Sequence, residues 1–384
     1  MEFDFTTVNT GALPGKVHPF LEEHGITDPE IIPFSVAEMR LNLAPDILRA
    51  MRETVDRGSF GYAPPDRPRF DRALQGWMRD RHQWTPDPEA ILLTEGVLSS
   101  VADAIALLTE PGDGVIVQTP LYPNLPRAVT NTGRTVVENP LKLENGRYVP
   151  DLEDLRQKAK SAKVLLLCSP HNPTGRVFTE AELQAMGRIC LEEDLWVISD
   201  EIHFDLDLTR RHRVITQAVP ELREKAVVCT APSKTFNLAG CPMGIVVAEN
   251  RAVRERLQTR SGFYVNTLAY AAVTAAYESG GPWLDGLKAL LRENRRVLET
   301  RLLRALPEAS MPELEGTYLQ WIDLGCLGLS QPELMALLDR AQVVVNDGTT
   351  FGAAGLGHIR FNLACPTRMI HGAMDRLETV LAGR

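Results

Sequence analysis

A chain of 384 residues, 44% hydrophobic and 24% charged, has ordinary soluble globular composition and is long enough for one large domain and a smaller one. Its formal net charge of -9 argues against a nucleic-acid or membrane-surface partner. No apolar run approaches a membrane span, and the start "MEFDFTTVNTG" has neither the basic nor the apolar part of a signal peptide, so a cytoplasmic protein is expected.

In chain order, the middle of the sequence alternates apolar runs with helical patterns. The runs are "AILLTEG" (90–96), "DGVIVQTP" (113–120), "AKVLLLCSP" (162–170), "LWVISDE" (195–201), "AVVCTAP" (226–232) and "MGIVVAE" (243–249). They are continuous rather than alternating, as in strands covered on both faces. Helix-like stretches lie between them, for example 97–109 and 179–194, where Thr179 with Glu182 forms a capping-box start. This repetition predicts an α/β fold with a mostly parallel sheet and helices on both faces. Gly280-Gly281-Pro282 then breaks the pattern. A charged amphipathic helix, the strand "TYLQWIDL" and a last helix follow, and the arginines of the first read as a solvated face. The predicted division is a large domain over 43–280 and a smaller α+β domain made of 1–42 and 281–384. Six cysteines (Cys168, Cys190, Cys229, Cys241, Cys326 and Cys365) form no C-x-x-C pair, lie mostly in apolar runs and read as reduced, mostly buried thiols. Cys168 and Cys241 fall near the motifs below and are candidates to border a pocket. No metal site is expected.

In an open α/β sheet, ligands bind beyond the carboxyl ends of the strands. The segments that leave the runs there are Glu95-Gly96-Val97-Leu98, Thr119-Pro120-Leu121-Tyr122, Ser169 to Gly175 ("SPHNPTG"), Ser199-Asp200-Glu201-Ile202-His203, and Ala231 to Lys234. Each has a plain reading. Gly96 is a turn, Tyr122 packs between prolines, "NPTG" is a turn string and His203 is a loop histidine. Asp200 resists this treatment, because a carboxylate at the inner end of an apolar strand needs a cationic or hydrogen-bonded partner. Lys234 in "APSKTFNLAG" sits past a buried strand between small residues. Together these residues would put a glycine turn at a helix N-terminus, an aromatic, an amide, a carboxylate and an amine on one rim.

That order resembles the pyridoxal-phosphate enzymes of the aspartate-aminotransferase fold. "SPHNPTGRVFT", "SDEIH" and "APSKTFNLAG" are similar to the family's asparagine, aspartate and lysine motifs, and Pro64-Pro65 after "FGY" and "HIRFNLACP" extend the likeness over essentially the whole chain. Within the superfamily, "IIPFSVAEM", "GSFGY", "SDEIHFDL" and "SKTFNLAG" resemble most the cystathionine β-lyase branch, the C–S lyases. The resemblance implies fold type I, with a seven-stranded mostly parallel sheet, and a pyridoxal 5'-phosphate cofactor. It implies that Lys234 carries the cofactor covalently and, once freed, is the base at Cα of a small amino-acid substrate. Asp200 would pair with the ring nitrogen, Asn172 would donate to the ring oxygen with His203 nearby, and Tyr122 would stack on the ring. Gly96, the N–H groups of Val97 and Leu98, and Ser233 would hold the phosphate, completed by Tyr62 from a second subunit of a homodimer. Arg360 would clamp the substrate carboxylate bidentately.

The fold hosts several reactions. Many aminotransferases carry a phosphate-binding arginine eight residues after the lysine, a position filled here by Pro242. This and the branch motifs favour β-elimination from a cysteine S-conjugate, giving thiol, pyruvate and ammonia. Transamination, a tailoring reaction on an unusual amino acid, and a non-enzymatic regulator are the alternatives. The joint retention of Lys234, Asp200, Asn172, Tyr122 and Arg360 argues for catalysis. The chain departs from the branch at Glu38 and Arg40, where an aspartate pair is usual. It keeps Lys16 but has Val17 for a tryptophan, and it has Ala231 where a serine is common. In relatives the segments around Ala37 and Arg40, and around Val17, line the substrate entrance. Arg40 is therefore either a solvated charge or a group that recognises an acidic or hydroxyl-rich substituent, and a specialised substrate is expected.

Overall fold

The computed structural model describes residues 3–9, 21–23, 25–26, 31–60, 66–260 and 266–383. Its strands, in chain order, are β1 (Ile91–Thr94), β2 (Gly114–Val117), β3 (Thr135–Glu138), β4 (Lys142–Glu144), β5 (Arg147–Val149), β6 (Ala162–Cys168), β7 (Trp196–Asp200), β8 (Ala226–Thr230), β9 (Gly244–Val247), β10 (Leu319–Asp323), β11 (Asn346–Asp347) and β12 (His358–Asn362). All six apolar runs are strands of one seven-stranded sheet ordered β1-β9-β8-β7-β6-β2-β3. β2, β8 and β9 are buried from end to end, which is why their sequences show no alternation. The seventh strand, β3, gave no such run. It is a short edge strand whose residues are exposed or half-buried, so a core pattern was never needed there.

The pairings of β2 with β3 and β6, β6 with β7, and β7 with β8 are parallel. β9 runs antiparallel to both β8 and β1, so β1 points the same way as β8. The carboxyl ends of β1, β2, β6, β7 and β8 therefore share one rim. Register fixes who stands beside whom: Cys168 and Cys229 flank Asp200 on the neighbouring strands.

The predicted capping box is present. Thr179 accepts from Glu182 N–H, Glu182 accepts from Thr179 N–H, and the helix runs Glu180–Glu192. Helix Thr267–Ser279 stops at Gly280, and helix Gly281–Ala305 starts at the next residue. Several arginines of that second helix pair with glutamates, as Arg295 does with Glu299 and Arg296 with Glu293. β10, β12 and β11 form a separate antiparallel sheet. Residues near the chain's start pack onto it: Phe34 N–H donates to Val344 O, Asn362 N–H donates to Phe34 O, and the Phe34 ring stacks on Phe361 at 4.3 Å. Four of the six cysteines (Cys168, Cys190, Cys229 and Cys365) are buried, Cys241 is partly so, and Cys326 is exposed; all are free thiols. Among the described residues no helix is long and apolar enough to cross a membrane.

The turn after β6 is held by the segment before β10. Glu315 and Gly316 N–H both donate to Gly175 O, and the fully buried Glu315 carboxylate accepts from Arg176 Nε and Val177 N–H, each at 2.9 Å. Gly175 has φ +70°, and a Cβ on it would stand 2.5 Å from Leu314 Cδ1, so only glycine fits this closure. We predict that Glu315→Ala, which strips a buried guanidinium of one of its carboxylates, costs about 3–5 kcal/mol. A lowered urea midpoint at unchanged slope would report it; a midpoint within a tenth of wild type would refute it.

Candidate functional site

The shared rim encloses a cavity of about 420 Å³. At one end, helix Val97–Leu108 begins at Gly96 with no side chain capping its first turn. The free N–H groups and the positive end of the helix dipole there suit an anion. Gly96, Val97, Leu98, Ser99 and Ser233 line this end, and a Cβ on Gly96 would meet nothing within 4 Å.

Asp200, Asn172, His203, Tyr122 and Lys234 line the same cavity. Asp200, the last residue of β7, is 5% exposed and accepts from Ile202 N–H at 3.1 Å. Among the described residues no hydrogen bond reaches its second oxygen. Burial, with the nearby Glu201 charge, pushes its carboxyl up to about 7, against a partial offset from the Ile202 N–H and Lys234. Such a carboxyl ionises readily only beside a cation. His203 is buried, lies edge-on to Tyr318 at 5.9 Å, and among the described residues its Nδ1 has no partner. Burial, then the Lys234 and Arg360 charges, hold it down to about 3, so the ring is neutral. Tyr122 N–H donates to Asn172 O, tying the two loops, and Asn124 Nδ2 donates to the Tyr122 hydroxyl.

Lys234 Nζ donates to the Ala37 carbonyl at 2.8 Å. Burial lowers its pKa, with Arg360 adding to the fall and Glu38 and Asp200 opposing it. Arg360, on β12, does not line the cavity itself but lies one hydrogen bond behind Asn172. Its Nη1 donates to Asn172 Oδ1 at 2.9 Å, and its Nη2 donates to Ser35 O and Asn346 Oδ1. The guanidinium is 4% exposed and stands 4.7 Å over the Phe351 ring, with Nε unpartnered. No carboxylate pairs with it among the described residues, and burial pulls its pKa down to about 10.

The cavity thus gathers Lys234, Asp200, Asn172, His203, Tyr122, Gly96, Val97, Leu98, Ser233 and Ala37. Cys168 lines it as well, whereas Cys241 does not, although its neighbour Pro242 does. Arg40 corrects the solvated-charge reading. It is 5% exposed and off the cavity, its N–H donates to Ala364 O, and its Nε has no partner. The backbone that carries it is drawn into the packed interior against 362–365. Tyr62, Pro64, Pro65, Lys16 and Val17 lie outside the described residues. Tyr318, Asn346, Ser35 and Asn237 were not singled out in sequence. Tyr318, Ser35 and Asn237 act through contacts to residues far away in the chain, and Asn346 through Arg360 14 residues on; no local pattern marks such contacts.

Unmet groups decide what could fit. An unpartnered His203 Nδ1, a carboxyl needing a cation, an uncapped helix start and a partly buried amine match the polar outline of pyridoxal phosphate. A ring oxygen, a protonated ring nitrogen, a phosphate and a carbonyl carbon would meet them in turn.

The model of the family described as aminotransferase class I and II matches residues 29–377. The chain is 36% identical to cystathionine beta-lyase PatB of Bacillus subtilis (strain 168), with 100% of each chain covered. The crystal structure of cystalysin from Treponema denticola, which contains a pyridoxal 5'-phosphate cofactor, superimposes with a TM-score of 0.95 at 35% identity over 100% of both chains. The pyridoxal-phosphate-bound C-S lyase from Staphylococcus hominis gives 0.92 at 27% identity over 99% of this chain and 98% of that one.

Asp200 sets a pH dependence. Its folded pKa lies above the ordinary 3.8, so the stability contributed by the neutral form is complete below that value and is lost as pH rises towards about 7. In the cofactor-free protein, the stability difference between wild type and Asp200→Asn should therefore shift against wild type across this window. A difference that is flat with pH in thermal melts would contradict it.

Proposed function

The chain belongs to the aminotransferase class I and II family, and from that premise we propose that it is a pyridoxal-phosphate enzyme cleaving the C–S bond of cysteine S-conjugates by β-elimination. Bound pyridoxal phosphate supplies an electron sink for the pair left at Cα when its proton is removed. The observation that carries the amino-acid substrate is Arg360: a buried guanidinium without a carboxylate partner is costly, and a substrate α-carboxylate would complete it. Lys234 takes the Cα proton, and its lowered pKa favours the free amine that this needs. Asp200, as a carboxylate, holds the ring nitrogen protonated. Asn172, held by Arg360, turns its N–H donors to the ring oxygen, with the neutral His203 beside it. Tyr122 stacks on the ring, and the start of helix Val97–Leu108 with Ser233 takes the phosphate.

The choice of elimination rests on two supports. Pro242 lines the cavity at the position where many aminotransferases carry an arginine. The relatives named above are a cystathionine beta-lyase and a C-S lyase. Loss of the Cα proton and departure of the thiolate, which takes up a proton, leave 2-aminoacrylate, and its hydrolysis by water gives pyruvate and ammonia. Neither Glu38 nor Arg40 lines the cavity, so the departures there give no contact to an S-substituent. Division into a large domain over 43–280 and a small one from 1–42 and 281–384 would put Arg360 on the part able to move onto the substrate. Exposed Leu48 and Val55 of helix Pro45–Asp56, with Phe60 after it, support a homodimer whose second subunit brings Tyr62 to the phosphate.

Incubating the loaded enzyme with L-cystathionine and S-substituted cysteines, without any keto acid, should release thiol, pyruvate and ammonia in equal amounts. Amine transfer that requires a keto acid would replace this reading by aminotransferase. Lys234→Ala should lose turnover by at least about 10³-fold, and Arg360→Ala should raise KM more than it lowers kcat. Mixing the individually inactive Lys234→Ala and Tyr62→Ala proteins should restore activity if Tyr62 serves the neighbouring site; no recovery would refute that placement.

A further inference from the structure

Segment Val36–Met39 passes the cavity at Ala37, and two asparagines far away in sequence hold its backbone. Asn237 Oδ1 accepts from Met39 N–H at 2.9 Å, and its Nδ2 donates to Met39 O at 3.0 Å. Asn362 Nδ2 donates to Val36 O at 2.6 Å and Glu38 O at 2.7 Å, while its Oδ1 accepts from Ala364 N–H at 2.8 Å. Between these clamps the Ala37 carbonyl receives Lys234 Nζ at 2.8 Å and the Tyr318 hydroxyl at 2.9 Å. Each side-chain amide thus does for this segment what a neighbouring strand would do.

The placement of both asparagines is specific. Asn237 follows Lys234 by three residues at φ 57°, a left-handed conformation that asparagine tolerates better than most residues. The turn that bears the lysine therefore also bears the clamp on the lysine's acceptor. Asn362 ends β12 two residues after Arg360, so both side chains leave the same face of the strand. Arg360 reaches Ser35 O, and Asn362 reaches Val36 O and Glu38 O. A lysine stem has much rotamer freedom to lose, so a fixed acceptor at its tip decides where a free amine spends its time.

We infer that Asn237 and Asn362 are positioning residues for Lys234: they fix the Val36–Met39 backbone so that the Ala37 carbonyl docks the free amine at the cavity wall. The inference rests on the pyridoxal-phosphate reading but not on the choice of elimination. It assigns the clamp to the proton-transfer step, because the amine that is docked is the one that must meet the Cα proton.

Asn237→Asp and Asn362→Asp keep size and one acceptor but lose the donors to Met39 O, or to Val36 O and Glu38 O. The loaded enzymes would be incubated with L-alanine, which has no leaving group on Cβ, in deuterated water, and loss of the α-proton followed by NMR. Both variants should exchange roughly 10²-fold more slowly than wild type. In the cofactor-free proteins an acylating reagent, read by mass spectrometry, should label Lys234 several-fold faster in both variants. Variants that melt lower yet exchange and label at wild-type rates would show that the asparagines only stabilise the fold, overturning the inference. Absence of exchange in wild type would instead overturn the pyridoxal-phosphate reading, and the labelling rates would still decide the docking. If neither variant folds, hydrogen exchange on wild type decides: the Met39 amide should be protected like a sheet amide, and exchange within seconds would overturn the clamp.

Discussion

The parallel alignment of β2, β6, β7 and β8 is the constraint on which the site depends. Parallel strands cannot be joined by tight hairpins, so each connection must leave at the carboxyl end and return through a crossover. Five segments are thereby delivered to one rim, and the register of the ladder sets their lateral order. Asp200 owes its environment to that ladder. At the end of β7, with Cys168 and Cys229 abreast of it, it has little besides the Ile202 N–H and the cavity to face.

Burial also governs the charges. Lys234 and Arg360 are both pulled down by desolvation, Asp200 is pushed up, and His203 is kept neutral. These four groups are thus displaced towards their uncharged forms. The protein holds these groups in a state that a ligand with complementary charge would relieve, while the surrounding packing, such as the Glu315 cluster beneath the asparagine turn, keeps them from relaxing without one.

Much of this was legible in the sequence because it is local. Continuous apolar runs marked six of the seven large-sheet strands, Thr179 and Glu182 marked a helix start, and the motif residues fell just past strand ends. The resemblance to pyridoxal-phosphate enzymes and to the C–S lyases is borne out by the family match and by the relatives. What escaped is non-local or pattern-free. β3 is too exposed to need a core pattern. Arg40 looked solvated because its burial comes from the segment around Ala364, hundreds of residues away. Tyr318 and Asn237 matter through hydrogen bonds to residues 281 and 198 positions away, and one polar side chain among many carries no period.

The hydrogen bonds around Ala37 join the two ends of the chain. Arg360 to Ser35 spans 325 residues, Asn362 to Val36 spans 326, and Tyr318 to Ala37 spans 281. During synthesis the first forty residues leave the ribosome long before their partners exist. The large sheet, whose strands end by residue 247, can pair while the chain is still growing, but the pocket cannot be walled until β12 has emerged. Loop-closure entropy is met last at this point, so formation of the pocket is tied to completion of the polypeptide. A chain cut short before β12 would carry the lysine without the wall that holds it, and would be unable to bind or turn over an amino acid prematurely.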